Sequence, residues 1–289
     1  MEIRVLKGFT VENWKHRFLP SEDVYRFSQS GKSGILSVAD GITRDPTNGT
    51  LPNLDSIFGK VQFVLGYPKP SPAFYVANMF CKSFNSYFES MPSGKRINED
   101  SIFESFRIAN QIIRNFNNKF FPYAELDFLK RDYTGCVASG AIADGRDVFY
   151  GYIADSGFIV LDDKGNIRFK TENEGPNSKG NIDEDVAKKY RTGFKFPKGR
   201  TIIRSQYRNN PDEPLAYGAL TGQTEAMNYV RTGYFELQEG DVPIVFTDGL
   251  ESVIQSPEFA EKIRERDFKG IKKLCRRKVR TEGTLVCAL

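Results

Sequence analysis

The stretch Ile35-Leu36-Ser37-Val38-Ala39-Asp40-Gly41 decides how this chain is read. An apolar run of strand length delivers a carboxylate at its end, and a glycine follows at once. Glycine lacks a Cβ, so the backbone there can turn sharply and aim a carbonyl at whatever the aspartate holds. The device recurs in Tyr152-Ile153-Ala154-Asp155-Ser156-Gly157 and in Ile244-Val245-Phe246-Thr247-Asp248-Gly249. Upstream stands an acidic pair, Glu22-Asp23, ahead of the aromatic-bearing segment Val24-Tyr25-Arg26-Phe27. A single aspartate-glycine pair usually marks a plain turn. Three strand-end aspartates with an acidic pair, in this order, could form an all-oxygen site for hard divalent cations, Mg²⁺ or Mn²⁺.

The chain has 289 residues, room for one large domain or two small ones. With 39% hydrophobic and 27% charged residues it has an ordinary globular composition, and 24 Phe and 13 Tyr provide for a substantial core. A net charge of +4 is too small to argue for nucleic acid. Cys81, Cys136, Cys275 and Cys287 show no C-x-x-C spacing, so they read as free thiols in a reducing cytosol, neither a zinc site nor a disulfide framework. Met-Glu-Ile-Arg-Val has no apolar core of signal-peptide length and no later stretch could cross a bilayer, so a cytoplasmic protein without membrane contact is expected.

Residues 2–11 alternate as a first strand, and Ile35 to Ala39 follow as a second or third. The run from Ile42 to about Asp55 is rich in Thr, Asp, Pro, Asn and Gly, as a surface loop would be. Two long helices come next. Ala73, Ala77, Phe80, Phe84, Phe88 and Met91 form one apolar stripe, and Ile102, Phe106, Ala109, Ile113, Phe116 and Phe120 another. Ser101 with Glu104 could make a capping box for the second helix, with Asn98 a competing cap. Thr134 to Ala143, Asp147 to Ala154 and Phe158 to Leu161 read as a β-meander. The stretch from about Thr171 to Gly199 is polar, with one modest helix near Asp183 to Tyr190, and reads as an insertion. Strands are expected again at Thr201 to Arg204, Tyr234 to Leu237, Val242 to Phe246 and Thr284 to Ala288. A last helix near Phe268 to Arg277 carries Phe268, Ile271 and Leu274 on one face and a basic run on the other, which reads as a solvated face. Paired helices beside two groups of strands predict two sheets packed face to face and covered by helices, in one unit spanning 1–289.

Much chemistry is excluded. His16 is the sole histidine, and no G-x-S-x-G elbow stands ready for a Ser-His-Asp triad. Six positions after Cys81, Cys136 and Cys275 stand Tyr87, Ile142 and Thr281, so none has the C-x₅-R spacing of a cysteine phosphatase. Gly31-Lys32-Ser33 lacks the earlier glycine of a phosphate-binding loop, since Arg26 occupies that position. No dinucleotide fingerprint follows a strand, and no organic cofactor site is expected. Carboxylate-bound metal chemistry survives.

The order Ser21-Glu22-Asp23, Val38-Ala39-Asp40-Gly41, Thr134-Gly135-Cys136-Val137, Ile153-Ala154-Asp155-Ser156, Phe246-Thr247-Asp248-Gly249 and Gly283-Thr284-Leu285-Val286 resembles the type-2C metal-dependent protein phosphatases, over nearly the whole chain. Tyr217-Gly218-Ala219-Leu220-Thr221-Gly222, ahead of a strand and Glu239-Gly240-Asp241, is similar to a microbial branch of that family. The resemblance implies an α+β fold, a four-layer αββα sandwich of two antiparallel sheets flanked by helices, with a two-metal centre at one end of the sheets. It implies that Asp40 bridges two Mn²⁺ or Mg²⁺ ions, helped by the Gly41 carbonyl, and that Asp248 binds the first ion. Glu22 and Asp23 would complete the shells directly or through water, and Asp155 matches the position of a weaker third ion. Two such cations activate a water and stabilise the charge of an in-line displacement at phosphorus, with no covalent phosphoenzyme.

Three positions depart from the family pattern. The usual aspartate ahead of the last strand falls on Thr281, where the adjacent Glu282 could substitute if the loop is bent. Ile42 stands where some relatives have a histidine. The phosphate-binding arginine falls near Arg17, one step further back than usual, with Arg44 a rival. The implied activity is hydrolysis of phosphoserine and phosphothreonine in proteins, a signalling role opposite a partner Ser/Thr kinase, with Asp40, Asp248 and Arg17 as the catalytic set. The alternative, motivated by Thr281, is a catalytically weak relative that binds phosphoproteins as a regulator. A third reading is a hydrolase of small phosphate esters.

Overall fold

The computed structural model describes residues 5–13, 20–30, 33–42, 56–92, 94–120, 133–193 and 197–289. Arg17, Arg44, His16 and most of the 42–55 loop lie outside the described residues. Among the described residues, ten strands build two antiparallel sheets of five. The first sheet runs in the order β1 (Leu6–Glu12), β10 (Glu282–Ala288), β9 (Val242–Phe246), β6 (Gly157–Leu161) and β7 (Ile167–Lys170). The second runs β2 (Val24–Ser30), β3 (Ser33–Gly41), β4 (Cys136–Asp144), β5 (Asp147–Ile153) and β8 (Arg231–Glu236).

Three apolar layers hold the sandwich together. Between the sheets lie Leu36, Val38, Tyr152, Phe158, Val245 and Val286 with their neighbours. Outside the second sheet pack α2 (Pro72–Glu89) and α3 (Glu99–Phe120), whose Phe80, Phe84, Phe88, Ile102, Phe106 and Ile113 interdigitate as the stripes require. Outside the first sheet pack α6 (Glu251–Ile254), α7 (Pro257–Arg264) and α8 (Phe268–Lys278), bringing Ile254, Phe259, Ile271 and Leu274 against Phe9, Ile244 and Leu285. This is an αββα sandwich. Central strands buried on both faces read as continuous apolar runs, as β3, β4 and β9 do.

Local chemistry explains the ends. Ser71 caps α2, its hydroxyl accepting the Phe74 N–H at 3.1 Å, with Pro72 in the first turn. At α3 the competing cap prevails: Asn98 Oδ1 accepts the Ser101 N–H at 3.0 Å and the Ser101 hydroxyl at 2.7 Å. Asn181 caps α4 (Ile182–Tyr190), which belongs to the polar excursion between β7 and β8.

Two expectations fail. Thr201 to Arg204 is not a strand: α5 (Pro197–Ile202) runs into a turn of π-helix over Ile203–Tyr207. The β-branched run looks strand-like locally, but Ile203 and Tyr207 pack with Ile182, Val186 and Tyr217 in a small separate core, and tertiary packing overrides propensity. The expected meander is also broken. β4 and β5 pair as a hairpin, whereas β6 leaves for the other sheet, where it pairs with β9. The crossing is made at Ala154-Asp155-Ser156, with Ala154 in the left-handed region at φ 63°. A non-glycine residue held there stores about 1–3 kcal/mol of strain, which the surrounding structure must override. Helix α1 (Ile57–Gly66) has no counterpart in the reading of the sequence. Its Ile57, Phe58, Val61 and Leu65 are exposed, apolar residues outside any core stripe. Among the described residues no helix is long and apolar enough to cross a membrane.

Candidate metal centre

Strand polarity gathers the acidic residues at one end of the sandwich. Asp40 is the penultimate residue of β3, Asp23 immediately precedes β2, Asp248 follows β9, Glu282 opens β10, and Asp155 sits at the crossing from β5 to β6. Because the pairs β2–β3 and β9–β10 are antiparallel, the start of one strand lies beside the end of its partner. Carboxylate oxygens of Asp23, Asp40 and Glu282 all lie within 4.8 Å of one another.

The glycines of two of the three strand-end motifs, Gly41 and Gly249, serve close approach here. A Cβ at Gly41 would stand 2.8 Å from the backbone of Ala73, in the first turn of α2. A Cβ at Gly249 would stand 1.8 Å from the carbonyl oxygen of Glu282. Gly249 thereby lets the Asp248 turn lie directly on the strand that carries Glu282.

Two of the clustered carboxylates, Asp23 and Glu282, are held by hydrogen bonds of their own. The Thr247 hydroxyl donates to Asp23 Oδ2 at 2.7 Å and itself accepts the Thr284 N–H at 2.9 Å. Glu282 accepts the Ser21 hydroxyl at 2.7 Å and the Glu22 N–H at 3.1 Å, so its side chain turns inward. Thr281 is exposed, and its carbonyl takes the Asn13 N–H at 2.7 Å. Glu282, rather than Thr281, brings its side chain into the cluster. Glu22 is buried, but its Oε1 accepts the hydroxyls of Tyr67 and of Ser71, the latter at 2.6 Å. Asp155 and Asp248 stand outside the trio, yet near enough to act on its charge.

Electrostatics reflect the crowding. Burial, then the charge of Glu282, push the Asp23 carboxyl up to about 8. Asp40 is held well above the carboxylate range by burial and by the charges of Asp23, Asp248, Glu282 and Asp155. Burial and Asp248 push Asp155 to about 7, and Asp248 itself is raised by burial. Among the described residues, no basic side chain ranks among the main influences on Asp23 or Asp40. Among those residues, too, the buried Asp23 Oδ1 has no hydrogen-bond partner. Buried, mutually repelling carboxylates with an unpartnered oxygen cost several kcal/mol unless protonated or neutralised. Hard dications bound by oxygen fit this donor set.

Solved structures bear on the whole arrangement. A bacterial serine phosphatase superimposes with a TM-score of 0.64 at 12% identity, over 98% of this chain and 96% of that chain. The chain has the fold of the bacterial serine/threonine phosphatases. The catalytic domain of the phosphatase PstP, in complex with two manganese ions, matches at TM-score 0.55 and 15% identity, over 98% of this chain and 96% of that one. RsbX in complex with magnesium matches at 0.51 and 14%, over 98% and 92%. No family model and no curated protein matches the sequence.

Sequence reasoning missed the residues that hold the carboxylates. Thr247 and Ser21 stand inside the quoted motifs, next to the acids themselves. Tyr67 and Ser71 come from a distant segment, and only folding brings them to Glu22.

Proposed function

We propose that this chain is a metal-dependent phosphatase that hydrolyses phosphoserine and phosphothreonine in proteins at a two-metal centre. The observation that carries the reading is the Asp23–Asp40–Glu282 cluster, with Asp23 Oδ1 buried and unpartnered among the described residues, at the end of a phosphatase sandwich. Bound Mn²⁺ or Mg²⁺ would supply an activated water and neutralise charge on the phosphoryl group.

The residues do the holding. Asp40, Asp23 and Glu282 form the core of the donor set, with Asp248 and the Gly41 carbonyl completing it and Asp155 serving a third, weaker ion. Thr247 fixes the orientation of Asp23, and Ser21 that of Glu282. Glu22, held by Tyr67 and Ser71, contributes through water rather than directly. Arg17, whose forked guanidinium suits phosphoryl oxygens, is assigned to orient the substrate. No protein nucleophile is required, and all four cysteines are buried. A phosphoprotein substrate implies a partner Ser/Thr kinase.

The Glu282 carboxylate in the cluster speaks for catalysis over the purely binding alternative, which drew on a neutral Thr281. Titration of Mn²⁺ and Mg²⁺ into metal-free protein, with phosphate release from a phosphothreonine peptide as readout, tests the reading. Absence of turnover at every metal concentration overturns it, and faster turnover of sugar phosphates than of the peptide favours a small-ester hydrolase.

A further inference from the structure

Helix α8 presents a cationic face that packing does not use. Lys269, Lys272, Lys273, Arg276 and Arg277 recur at i, i+3, i+4, i+7 and i+8 on one side, and Arg280 extends the row just past the helix. The opposite side buries Ile271, Leu274 and Cys275 in the core under the first sheet. All six cations are exposed, and among the described residues none makes an ion pair, whereas Lys278 is bonded to Glu258 at 2.6 Å.

Helix stability does not account for the row. Arg276 and Arg277 suit the negative end of the helix dipole, but Lys269 lies in the first turn, where a cation is unfavourable. Like charges three and four apart also repel along the whole face. Residues 268–280 hold seven of the chain's 41 basic side chains and none of its 37 acidic ones, so the +4 chain is −3 without them. This local cost, with no internal partner, points to an anionic ligand.

The row begins beside the carboxylate cluster. Arg280 precedes Glu282 by two residues, so their Cα atoms are at most about 7.6 Å apart. Asn13 clamps the turn between them, its side chain donating to the Val279 carbonyl at 3.0 Å and its N–H to the Thr281 carbonyl at 2.7 Å. From there the cations run about 16 Å down α8. A lipid surface would need apolar side chains among them, and Ile271 and Leu274 are buried instead. A chain that offers a phosphoryl group to the cluster can lay carboxylates along the helix at the same time.

We propose that this face docks an acidic segment of the phosphoprotein substrate, an inference that rests on the phosphatase reading above. Its Asp and Glu residues begin about two positions from the phosphorylated residue and cover about five more. The contact is electrostatic and weakens as salt rises.

The test compares wild type with the triple variant Lys272→Ser, Lys273→Ser, Arg276→Ser, its fold checked by thermal melting. Phosphothreonine peptides carrying either five Asp/Glu or five Gly/Ser residues on one side, then on the other, serve as substrates. The acidic peptide on one side should show a KM about tenfold lower in wild type, with the advantage lost in the variant and hydrolysis of a small aryl phosphate unchanged in both. Fluorescence anisotropy with the unphosphorylated acidic peptide reads the docking without turnover, so it decides the matter even if the phosphatase reading fails. Equal binding by wild type and variant, or equal KM for acidic and neutral peptides, overturns the proposal. Tighter capture of duplex DNA or phosphatidylserine vesicles than of the acidic peptide also overturns it and reassigns the face.

Discussion

Thr247 and Asp23 lie 224 positions apart in sequence and are joined by a buried 2.7 Å hydrogen bond. One follows a strand of the first sheet and the other precedes a strand of the second, so the bond spans the sandwich at the site. Thr247→Val keeps the shape but strands Asp23 Oδ2 and the Thr284 N–H. Each buried group left unpaired costs about 1–3 kcal/mol. The melting temperature of the metal-free variant should fall measurably, and its Mn²⁺ requirement should rise. Unchanged values for both would mean that the hydroxyl holds nothing.

Asp40→Asn removes the charge at the centre of the repulsion. The metal-free variant should melt higher than wild type, while Mn²⁺-dependent turnover of a phosphopeptide disappears. Wild type should gain about 2.7 kcal/mol at a metal concentration a hundredfold above the dissociation constant, and the variant far less. A wild-type melting temperature indifferent to millimolar Mn²⁺ would count against a metal site.

The raised carboxyls fix the sign of the pH response. In the metal-free fold Asp23 titrates at about 8 and Asp155 at about 7, against about 4 for an unfolded aspartate. The protonated forms favour the native state, so their contribution is complete below about pH 4 and drains away as pH rises towards 8. Stability of the metal-free protein should decline from pH 5 to pH 8, and saturating Mn²⁺ should cancel that decline because metal replaces the protons. Melting curves in chelator and in Mn²⁺ across this range decide it; a metal-free protein that grows more stable towards pH 8 would contradict the cluster's electrostatics.

Glu282→Gln retains an acceptor for Ser21 and for the Glu22 N–H but deletes a charge from the cluster. The Mn²⁺ concentration for half-maximal thermal stabilisation should rise by at least about tenfold. Thr281→Asp should leave it unchanged, because that side chain faces solvent. The reverse pattern would return the ligand position to residue 281.

Thiol-blocking reagents should leave activity intact. Burial pushes Cys81, Cys275 and Cys287 up to about 12 and Cys136 well above its usual value. Rapid loss of activity on alkylation, with the fold shown intact, would count against the metal mechanism.

The sandwich was legible because its signals are local and strong. Phenylalanines at helical spacing made α2 and α3 plain, and unbroken apolar runs ending in aspartate marked β3 and β9. The same runs put Asp40 and Asp248 at strand ends, and strand polarity brought them together. What the sequence hid depends on distance in the chain. Choosing between Thr281 and Glu282 required the direction of a side chain at a strand's first residue, which Ser21 and the Glu22 backbone determine from 261 and 260 positions away. The strand-like Thr201-Ile202-Ile203 became helical because a small separate core needed Ile203. Position 154 announced nothing at all, since alanine carries no signal of a left-handed conformation.

The clustered acids come from both sheets: Asp23 and Asp40 from the β2–β3 side, Glu282 from β10. Their mutual spacing is therefore a gauge of shear between the two layers. A close-packed interior resists sliding, since a gap of even half an ångström forfeits a large part of the contact energy. Tyr150 on one sheet stacks on Phe158 of the other, with ring centroids 4.7 Å apart, and such interlocked side chains act as the alignment jig of a charged site they never touch. A slimmer residue in that layer would shift the spacing of the clustered acids through oil-like atoms alone, which makes the greasy middle of this protein part of the setting of its charged site.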